Sequence, residues 1–249
     1  MKRVPSLVAA ALLVCLVPVL VAAAETEKVH KAVPLGPGGT LTLNNFSGDV
    51  RIVGADVSEV TVDAVRRASR DRLDHIKLDV STSGSTVTIE ANKKDDGWDS
   101  RNNNVVETEM DIQVPRSTAL RVKVFSSGVN VRGVSGEQTI ETFSGATHVE
   151  DGAARIAAKT FSGAVSIRMG PAGNPDVNLE TFSGAIDLRV PEGMRAGISF
   201  DSFSGQLNSD YGMTIREQKR GRLVGDLNGG DPQHTLRLKT FSGDVKIGR

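Results

Sequence analysis

The residues that could carry chemistry are scattered along the chain. Its four histidines are His30, His75, His148 and His234. None of them stands at a zinc-ligand spacing such as HxH or HExxH. Asp95, Asp96 and Asp99 lie near Trp98 and could hold Ca²⁺, but the EF-hand pattern is absent and a solvated loop is the preferred interpretation. We therefore predict no metal-binding or cofactor-binding residues and no cofactor.

The most repeated polar residue is the serine of a Phe-Ser-Gly tripeptide. It lacks the GxSxG context of a nucleophile elbow, and its repetition favours a structural role. A polysaccharide-active enzyme would need carboxylates or basic groups converging in a groove with aromatic side chains. One candidate outward row, three residues after each Gly position, contains Arg51, His148, Ser166, Asp187, Asn208 and Lys246. Because this row has no repeated acidic pair, we predict no catalytic residues and a non-enzymatic protein.

The first 24 residues have the layout of a secretory signal. Lys2 and Arg3 precede an apolar run from Leu7 to Val21, and three alanines follow it before Glu25. This order of charge, apolar run and small residues predicts cleavage after Ala24 and export to the periplasm, envelope or exterior. No later apolar stretch is long enough to span a bilayer.

The exported part has no disulfide and nearly balanced charge. Its only cysteine, Cys15, lies in the predicted signal, where we expect packing and not lipidation. Without Lys2 and Arg3, 28 basic residues remain against 30 acidic ones, a net charge of about −2. Since nucleic-acid binding calls for clustered Lys and Arg, we predict no nucleic-acid partner.

The strongest pattern in the sequence is a repeat. Its seven copies are Phe46-Ser47-Gly48, Phe125-Ser126-Ser127, Phe143-Ser144-Gly145, Phe161-Ser162-Gly163, Phe182-Ser183-Gly184, Phe203-Ser204-Gly205 and Phe241-Ser242-Gly243. From Phe125 onward the steps are 18, 18, 21, 21 and 38 residues. The phenylalanines and glycines of this motif are the structural residues that we single out.

Alternating residues on both sides of the motif predict a strand before it and a strand after it. Apolar or Thr residues recur one, three and five positions before Phe, and others recur four and six positions after it. These two sets differ in parity, so the chain must bend, and we place the bend at the Thr-Phe junction with Gly as a corner residue. Coils of about 18–21 residues then stack into an all-β parallel β-solenoid, with Phe rings roughly 4.8 Å apart.

We expect the Phe rings to point into the core, because burying each ring stabilises by roughly 2–3 kcal/mol. An exposed row of Phe would also promote aggregation. The alternative is an outward aromatic ladder that binds sugars. The Thr and Ser residues before each Phe are predicted to form a row of hydroxyls that bond to one another along the stack.

The domain organisation follows from where the motif is present. Residues 1–24 are the predicted signal, and 116–249 are the repeat solenoid. Residues 25–115 are a strand-rich region with the first motif copy and either an antiparallel meander or irregular coils that cap the solenoid. Between Phe203 and Phe241, the sequence allows either a decayed copy at Leu223–Leu227 or an inserted hairpin turning at Arg220-Gly221, around 210–235. The final coil is expected to end the stack, covered by residues 206–235 or paired end to end with a partner chain.

The leader, the strand-rich first half and repeats of the form apolar-x-Thr-x-Ser-Gly-x-Val/Ile-x-Ile resemble the putative-adhesin family of exported β-strand-repeat proteins. That family is a bacterial domain of unknown function, and the resemblance covers roughly residues 35–249. It implies a solenoid in the cell envelope and supplies no catalytic or binding residues.

The favoured function is therefore a non-enzymatic envelope protein that acts as a binding, scaffolding or adhesin-like module with an unidentified envelope or extracellular partner. The alternatives are an extracytoplasmic partner of an envelope-stress or regulatory system and a polysaccharide-active β-helix enzyme.

Overall fold

The computed structural model describes residues 24–98, 104–171, 176–229 and 234–249. The predicted signal, apart from Ala24, and Asp99 lie outside the described residues. No helix in the described part of the chain is long and apolar enough to cross a membrane.

The described residues form 21 strands and one short helix. In chain order the strands are β1 (Glu25–Pro34), β2 (Thr40–Ser47), β3 (Val50–Ala55), β4 (Glu59–Ala68), β5 (Ile76–Ser83), β6 (Thr86–Lys94), β7 (Glu107–Pro115), β8 (Ala119–Ser126), β9 (Val129–Arg132), β10 (Gln138–Ser144), β11 (Thr147–Gly152), β12 (Ile156–Ser162), β13 (Val165–Met169), β14 (Val177–Ser183), β15 (Ile186–Arg189), β16 (Ala196–Ser202), β17 (Leu207–Ser209), β18 (Met213–Lys219), β19 (Arg222–Leu227), β20 (Thr235–Ser242) and β21 (Val245–Gly248). Helix α1 (Arg70–His75) joins β4 to β5. The all-β prediction is confirmed.

The strands form two large mixed sheets. The ten-stranded sheet has the order β1-β4-β7-β3-β9-β11-β13-β15-β21-β17. The eleven-stranded sheet has the order β18-β19-β16-β20-β14-β12-β10-β8-β2-β6-β5. Each motif copy contributes its first strand to the eleven-stranded sheet and its second strand to the ten-stranded one, and we call such a pair a coil. The core lies between the sheets, because the inward positions of both strands are Val, Ile or Leu in most coils.

Neighbouring coils are parallel and in register through the middle of the stack. Ile140 pairs with Val122 on one side and with Ala158 on the other, each 18 residues away. Val165 pairs with Ile186 in the same way across a 21-residue step. The repeat period thus sets the register, since each coil returns the same motif position to the same level of the sheet.

Both ends of the stack contain antiparallel strands. At the N-terminal end β6 and β7 form a further coil without the motif, and β5, β4 and β1 pair antiparallel outside it. At the other end β18 and β19 form a hairpin that turns at Arg220 and Gly221, with β19 antiparallel to β16. Both sheets continue across the predicted domain division at 115/116, since β8 pairs with β2 and β9 with β3.

The final coil does not end the stack, so that part of the prediction is wrong, whereas the expected cover by residues 206–235 is seen in part, since β17 pairs with β21. Strand β20 lies between β14 and β16, and β21 lies between β15 and β17. The coil of Phe203 is the outermost motif coil instead. The 38-residue step allows this order. After the coil of Phe203 the chain forms the hairpin and then returns to the position between the coils of Phe182 and Phe203.

The prediction that the Phe rings point inward is also wrong. In the coil of Phe143 the residues Gln138, Ile140 and Thr142 are buried, while Phe143 and Ser144 are exposed. The strand therefore continues its alternation through Phe, and the parity change occurs at Ser-Gly, one or two residues later than we placed it. The corner interrupts the alternation, so the inward position after Thr142 is Thr147, five residues later.

Candidate binding surface

The scattered candidates for catalysis and metal binding remain separate in the structure. His30 on β1 contacts Asp63 on β4 at 2.7 Å, and His75 at the end of α1 contacts Asp95, just after β6, at 2.9 Å. Among the described residues, no group of three or more His, Cys, Asp or Glu could hold a metal ion. Asp95 also accepts a hydrogen bond from the backbone N–H of Gly97, which indicates a polar turn.

One ionic cluster lies on the outer face of the ten-stranded sheet. The Glu150 carboxylate contacts Arg132 at 2.6 Å, His148 at 3.2 Å and Arg168 at 3.9 Å. Hydrogen bonds to His148 and Arg132 hold the pKa of the Glu150 carboxyl below its ordinary value. A carboxylate that is kept ionised in this way is a poor general acid or base near neutral pH, so the cluster favours sheet stability over proton transfer.

The seven motif phenylalanines form one continuous ladder on the outside of the eleven-stranded sheet. In stack order it runs Phe46, Phe125, Phe143, Phe161, Phe182, Phe241 and Phe203. Neighbouring ring centroids are 4.6–4.9 Å apart, which agrees with the predicted spacing. Six such steps give the ladder a length of roughly 28 Å, set by the distance between hydrogen-bonded strands.

The rings of the ladder cover one another's faces and leave their edges open. From Phe125 to Phe203 neighbouring planes differ by only 1–6°. Phe46 to Phe182 and Phe241 are 41–48% exposed, and the terminal Phe203 is 76% exposed. A sugar ring that stacks on an aromatic side chain needs a free ring face, so the interior of this ladder does not suit the sugar-binding alternative.

A row of charged residues accompanies the ladder, two positions before each Phe and on the same outward face. In stack order its charged members are Lys123, Glu141, Lys159, Glu180, Lys239 and Asp201. Their signs alternate without exception, and we call these six residues the alternating row. Lys159 lies 3.5 Å from Glu180, and Lys239 lies 3.2 Å from the same carboxylate.

The alternation of charge depends on the order of the coils. In chain order Glu180 is followed by Asp201, which would place two carboxylates on neighbouring strands. The structure inserts Lys239 between them, because β20 lies between β14 and β16. Sequence reasoning missed this row, although the −2 position of each motif copy was available as a signal.

The ladder and the alternating row form the two walls of a shallow groove. Its volume is about 800 Å³, and it extends from Val124 to the hairpin turn at Gly221. Two outward positions along one strand are separated by about 7 Å, which sets the width of the groove floor. The groove therefore combines an apolar wall with a wall of balanced charge.

The hydroxyl row predicted beside the ladder lies on the inner side of the sheet. Its buried members are Thr142, Thr160, Thr181, Thr240 and Ser202, with Asn45 and Val124 at the equivalent positions. Thr142 donates a hydrogen bond of 2.8 Å to Thr160, but the hydroxyl groups of Thr240 and Ser202 have no partner in the described structure. Mutual hydrogen bonding along the row is thus only partial.

The glycines of the motif make the corners possible. Gly145, Gly163, Gly184 and Gly243 have φ between +142° and +155°, which side chains rarely adopt. A Cβ atom on Gly163 would lie 2.1 Å from the carbonyl oxygen of Gly145 in the neighbouring coil. The corners of neighbouring coils therefore lie backbone against backbone, without room for a side chain at these glycines.

Comparisons with known proteins give a family and several distant structures. No curated protein matches the sequence significantly. A cell adhesion protein of Clostridium sporogenes, described as putative, has 13% identity and a TM-score of 0.46, with 89% of this chain and 99% of that chain covered. A putative adhesin of Bacteroides fragilis has 12% identity and a TM-score of 0.39, with 89% and 97% covered. A putative lipid binding protein of Parabacteroides distasonis has 12% identity and a TM-score of 0.26, with 88% and 96% covered.

The family match falls on the coils described above. Residues 127–248 match the family described as Toastrack DUF4097. This range contains five of the seven motif copies, from Phe143 to Phe241. The repeat region of this chain therefore matches the Toastrack DUF4097 family, and the predicted resemblance to the putative-adhesin domain of unknown function is confirmed.

Proposed function

We propose that this protein is a non-enzymatic, exported binding or scaffolding module whose contact surface is the phenylalanine ladder. The observation that carries the proposal is the exposure of all seven stacked rings along one straight edge of the fold. The layout of the first 24 residues supports export to the periplasm or envelope.

The size of the apolar strip supports a role in binding. The seven rings together leave exposed the equivalent of about three and a half phenylalanine side chains. At about 200 Å² for each side chain, this is roughly 700 Å² of apolar surface. Monomeric soluble proteins rarely expose a contiguous apolar patch above a few hundred Å², and larger patches mark interaction sites.

The ladder is also built in a way that keeps it rigid in the absence of a partner. The rings stack on one another, and backbone hydrogen bonds between the parallel strands hold the residues that carry them. A contact surface that is already ordered loses little side-chain entropy on binding. The fold therefore presents the strip in a conformation ready for contact.

The test compares binding of the purified exported protein to the isolated cell-envelope fraction of the producing bacterium. Sedimentation with this fraction measures binding for the wild type and for the double variant Phe161→Ser, Phe182→Ser. We expect the double variant to bind at least about tenfold more weakly, because two central rings of the strip are lost.

The matched control is Ile215→Ser, which removes an exposed apolar side chain outside the ladder. Ile215 is 51% exposed and lies on β18. This variant is expected to bind like the wild type. Equal loss in both variants, or wild-type binding by the double variant, would contradict the proposed contact surface.

A further inference from the structure

We infer that the partner of the phenylalanine ladder is a second copy of this chain, docked ladder to ladder in the opposite direction. This inference rests on the proposed function, since it names the occupant of the same surface: the sites that sedimentation measures in the envelope fraction are then copies of this chain held there. It is carried by two features of the groove: the symmetry of the alternating row and the area of the apolar strip.

The alternating row is complementary to itself when it is reversed. It has six members that begin with Lys123 and end with Asp201. Any row of even length with strict alternation places opposite signs together when one copy faces another in reverse. An interface with two-fold symmetry requires such self-complementarity, because the same patch is used by both copies.

A two-fold axis along the strand direction, between the coils of Phe161 and Phe182, generates this arrangement. Lys159 of each copy then faces Glu180 of the other copy. Glu141 faces Lys239, and Lys123 faces Asp201, so that all six positions meet an opposite charge. The same rotation places Phe161 opposite Phe182, so that the two apolar strips face each other beside the two alternating rows.

The apolar area is sufficient for a dimer. The six rings that face a ring of the other copy, all but Phe46, contribute roughly 600 Å² per copy. The alternating row adds polar surface beside them, and a standard interface buries about 800 Å² per partner. Aromatic side chains at the centre and charged groups at the margin are also the usual arrangement of such contacts.

Other occupants fit the groove less well. A polyanion or an anionic membrane surface favours clustered positive charge, but the three lysines of the row alternate with three carboxylates. A glycan would stack on ring faces, which are covered between neighbouring rings. A second copy offers apolar edges and alternating charges with the same period of 4.6–4.9 Å.

Oligomeric state is the first measurement. Light scattering of the exported protein after size exclusion should give twice the mass of one chain at micromolar concentration. The double variant Phe161→Ser, Phe182→Ser should elute as a folded monomer with unchanged far-ultraviolet circular dichroism, and Ile215→Ser should remain a dimer.

Charge reversal distinguishes contacts between copies from contacts within one copy. Lys159→Glu alone places two carboxylates opposite each other on both sides of the axis, and Glu180→Lys alone places two ammonium groups there. Each variant should therefore dissociate at least about tenfold more readily than the wild type. A mixture of the two variants should form a heterodimer, because the carboxylate introduced at position 159 of one copy then faces the ammonium group introduced at position 180 of the other.

Cross-linking tests the direction of the second copy. Lys123 and Asp201 lie five steps apart in the stack, roughly 24 Å at 4.6–4.9 Å per step. A mixture of Lys123→Cys and Asp201→Cys should be joined by a short bis-maleimide, whereas Lys123→Cys alone should not. Joining of Lys123→Cys to itself would overturn the antiparallel arrangement.

The failure of this inference is distinguishable from the failure of the proposed function. A wild-type protein that is monomeric at high micromolar concentration, or a variant mixture that stays monomeric, overturns the dimer. If the Phe161→Ser, Phe182→Ser variant still loses binding to the envelope fraction in that case, the ladder remains a contact surface for a different partner.

Discussion

Phe161 and Phe182 lie face to face, with ring centroids 4.8 Å apart and planes within 3° of each other, although both side chains are nearly half exposed. They stack because β12 and β14 are parallel and pair Thr160 with Thr181 immediately before the two rings. The rings thus gain contact with one another and not with the core. This geometry has measurable consequences for stability.

Truncation of a ladder ring should cost much less stability than truncation of a core ring. We expect Phe161→Ala to lower the free energy of unfolding by about 1–2 kcal/mol. The half-exposed ring buries only a modest area, and its removal also ends its stacking on the two neighbouring rings. Phe200 is the one phenylalanine outside the motif and is only 6% exposed. Phe200→Ala should cost about 3–5 kcal/mol. Urea denaturation measures both, and equal costs would show that the ladder rings behave as core.

Adding a single methyl group at a corner should disturb the stack. Gly163 has φ of +149°, and its Cβ would lie 2.1 Å from the carbonyl oxygen of Gly145. We expect Gly163→Ala to cost at least about 2 kcal/mol, because both the conformation and the space oppose a side chain. The control is Gly36→Ala, where no atom lies within 4 Å of the added Cβ. Similar thermal midpoints for both variants would refute this explanation of the corners.

The inner hydroxyl row should respond differently at two of its positions. Thr160 accepts a hydrogen bond from Thr142, and Thr160→Val should cost about 1 kcal/mol because that bond is lost. The buried hydroxyl of Thr240 has no partner in the described structure, so Thr240→Val should be neutral or stabilising. Chemical denaturation of the two variants side by side tests the difference. A larger loss at Thr240 would indicate a hydrogen bond that this geometry does not contain.

Acid should weaken the ionic cluster around Glu150. Hydrogen bonds to His148 and Arg132 lower the pKa of this carboxyl in the folded protein, so its contribution to stability is fully present above the unfolded pKa of about 4.3. That contribution is lost as the pH falls through the lower, folded pKa, where the carboxylate becomes protonated. The variant Glu150→Gln should therefore show a smaller loss of thermal stability between pH 5 and 2 than the wild type. Superimposable pH profiles would exclude a role for this carboxylate.

The sequence by itself was sufficient to predict the repeat, its strands and the spacing of the rings. Parallel strands lie at one fixed separation, so copies of equal length must return Phe to equivalent positions. The period of 18 residues between Phe125, Phe143 and Phe161 therefore already determined the ladder and its spacing of about 4.8 Å.

The direction of the rings was decided only by the tertiary structure. The parity change between the two halves of a coil requires a corner, but it does not say at which peptide the corner occurs. Moving it from Thr142-Phe143 to Ser144-Gly145 reverses the direction of Phe and leaves every other inward residue in place. The corner lies at Ser-Gly, where the backbones of neighbouring coils approach so closely that a Cβ on Gly145 or Gly163 would meet a carbonyl oxygen of the next coil.

The order of the coils was likewise a tertiary outcome. The period of the repeat predicts which strands are neighbours only where the steps are regular. The 38-residue step before Phe241 allows the final coil to lie either beyond the coil of Phe203 or between the coils of Phe182 and Phe203. Inserting β20 between β14 and β16 places Lys239 beside Glu180 and separates Glu180 from Asp201. Two carboxylates at these positions repel each other only when their strands are neighbours in the sheet. The order of the strands, which differs from the order in the sequence, therefore produces the alternating row.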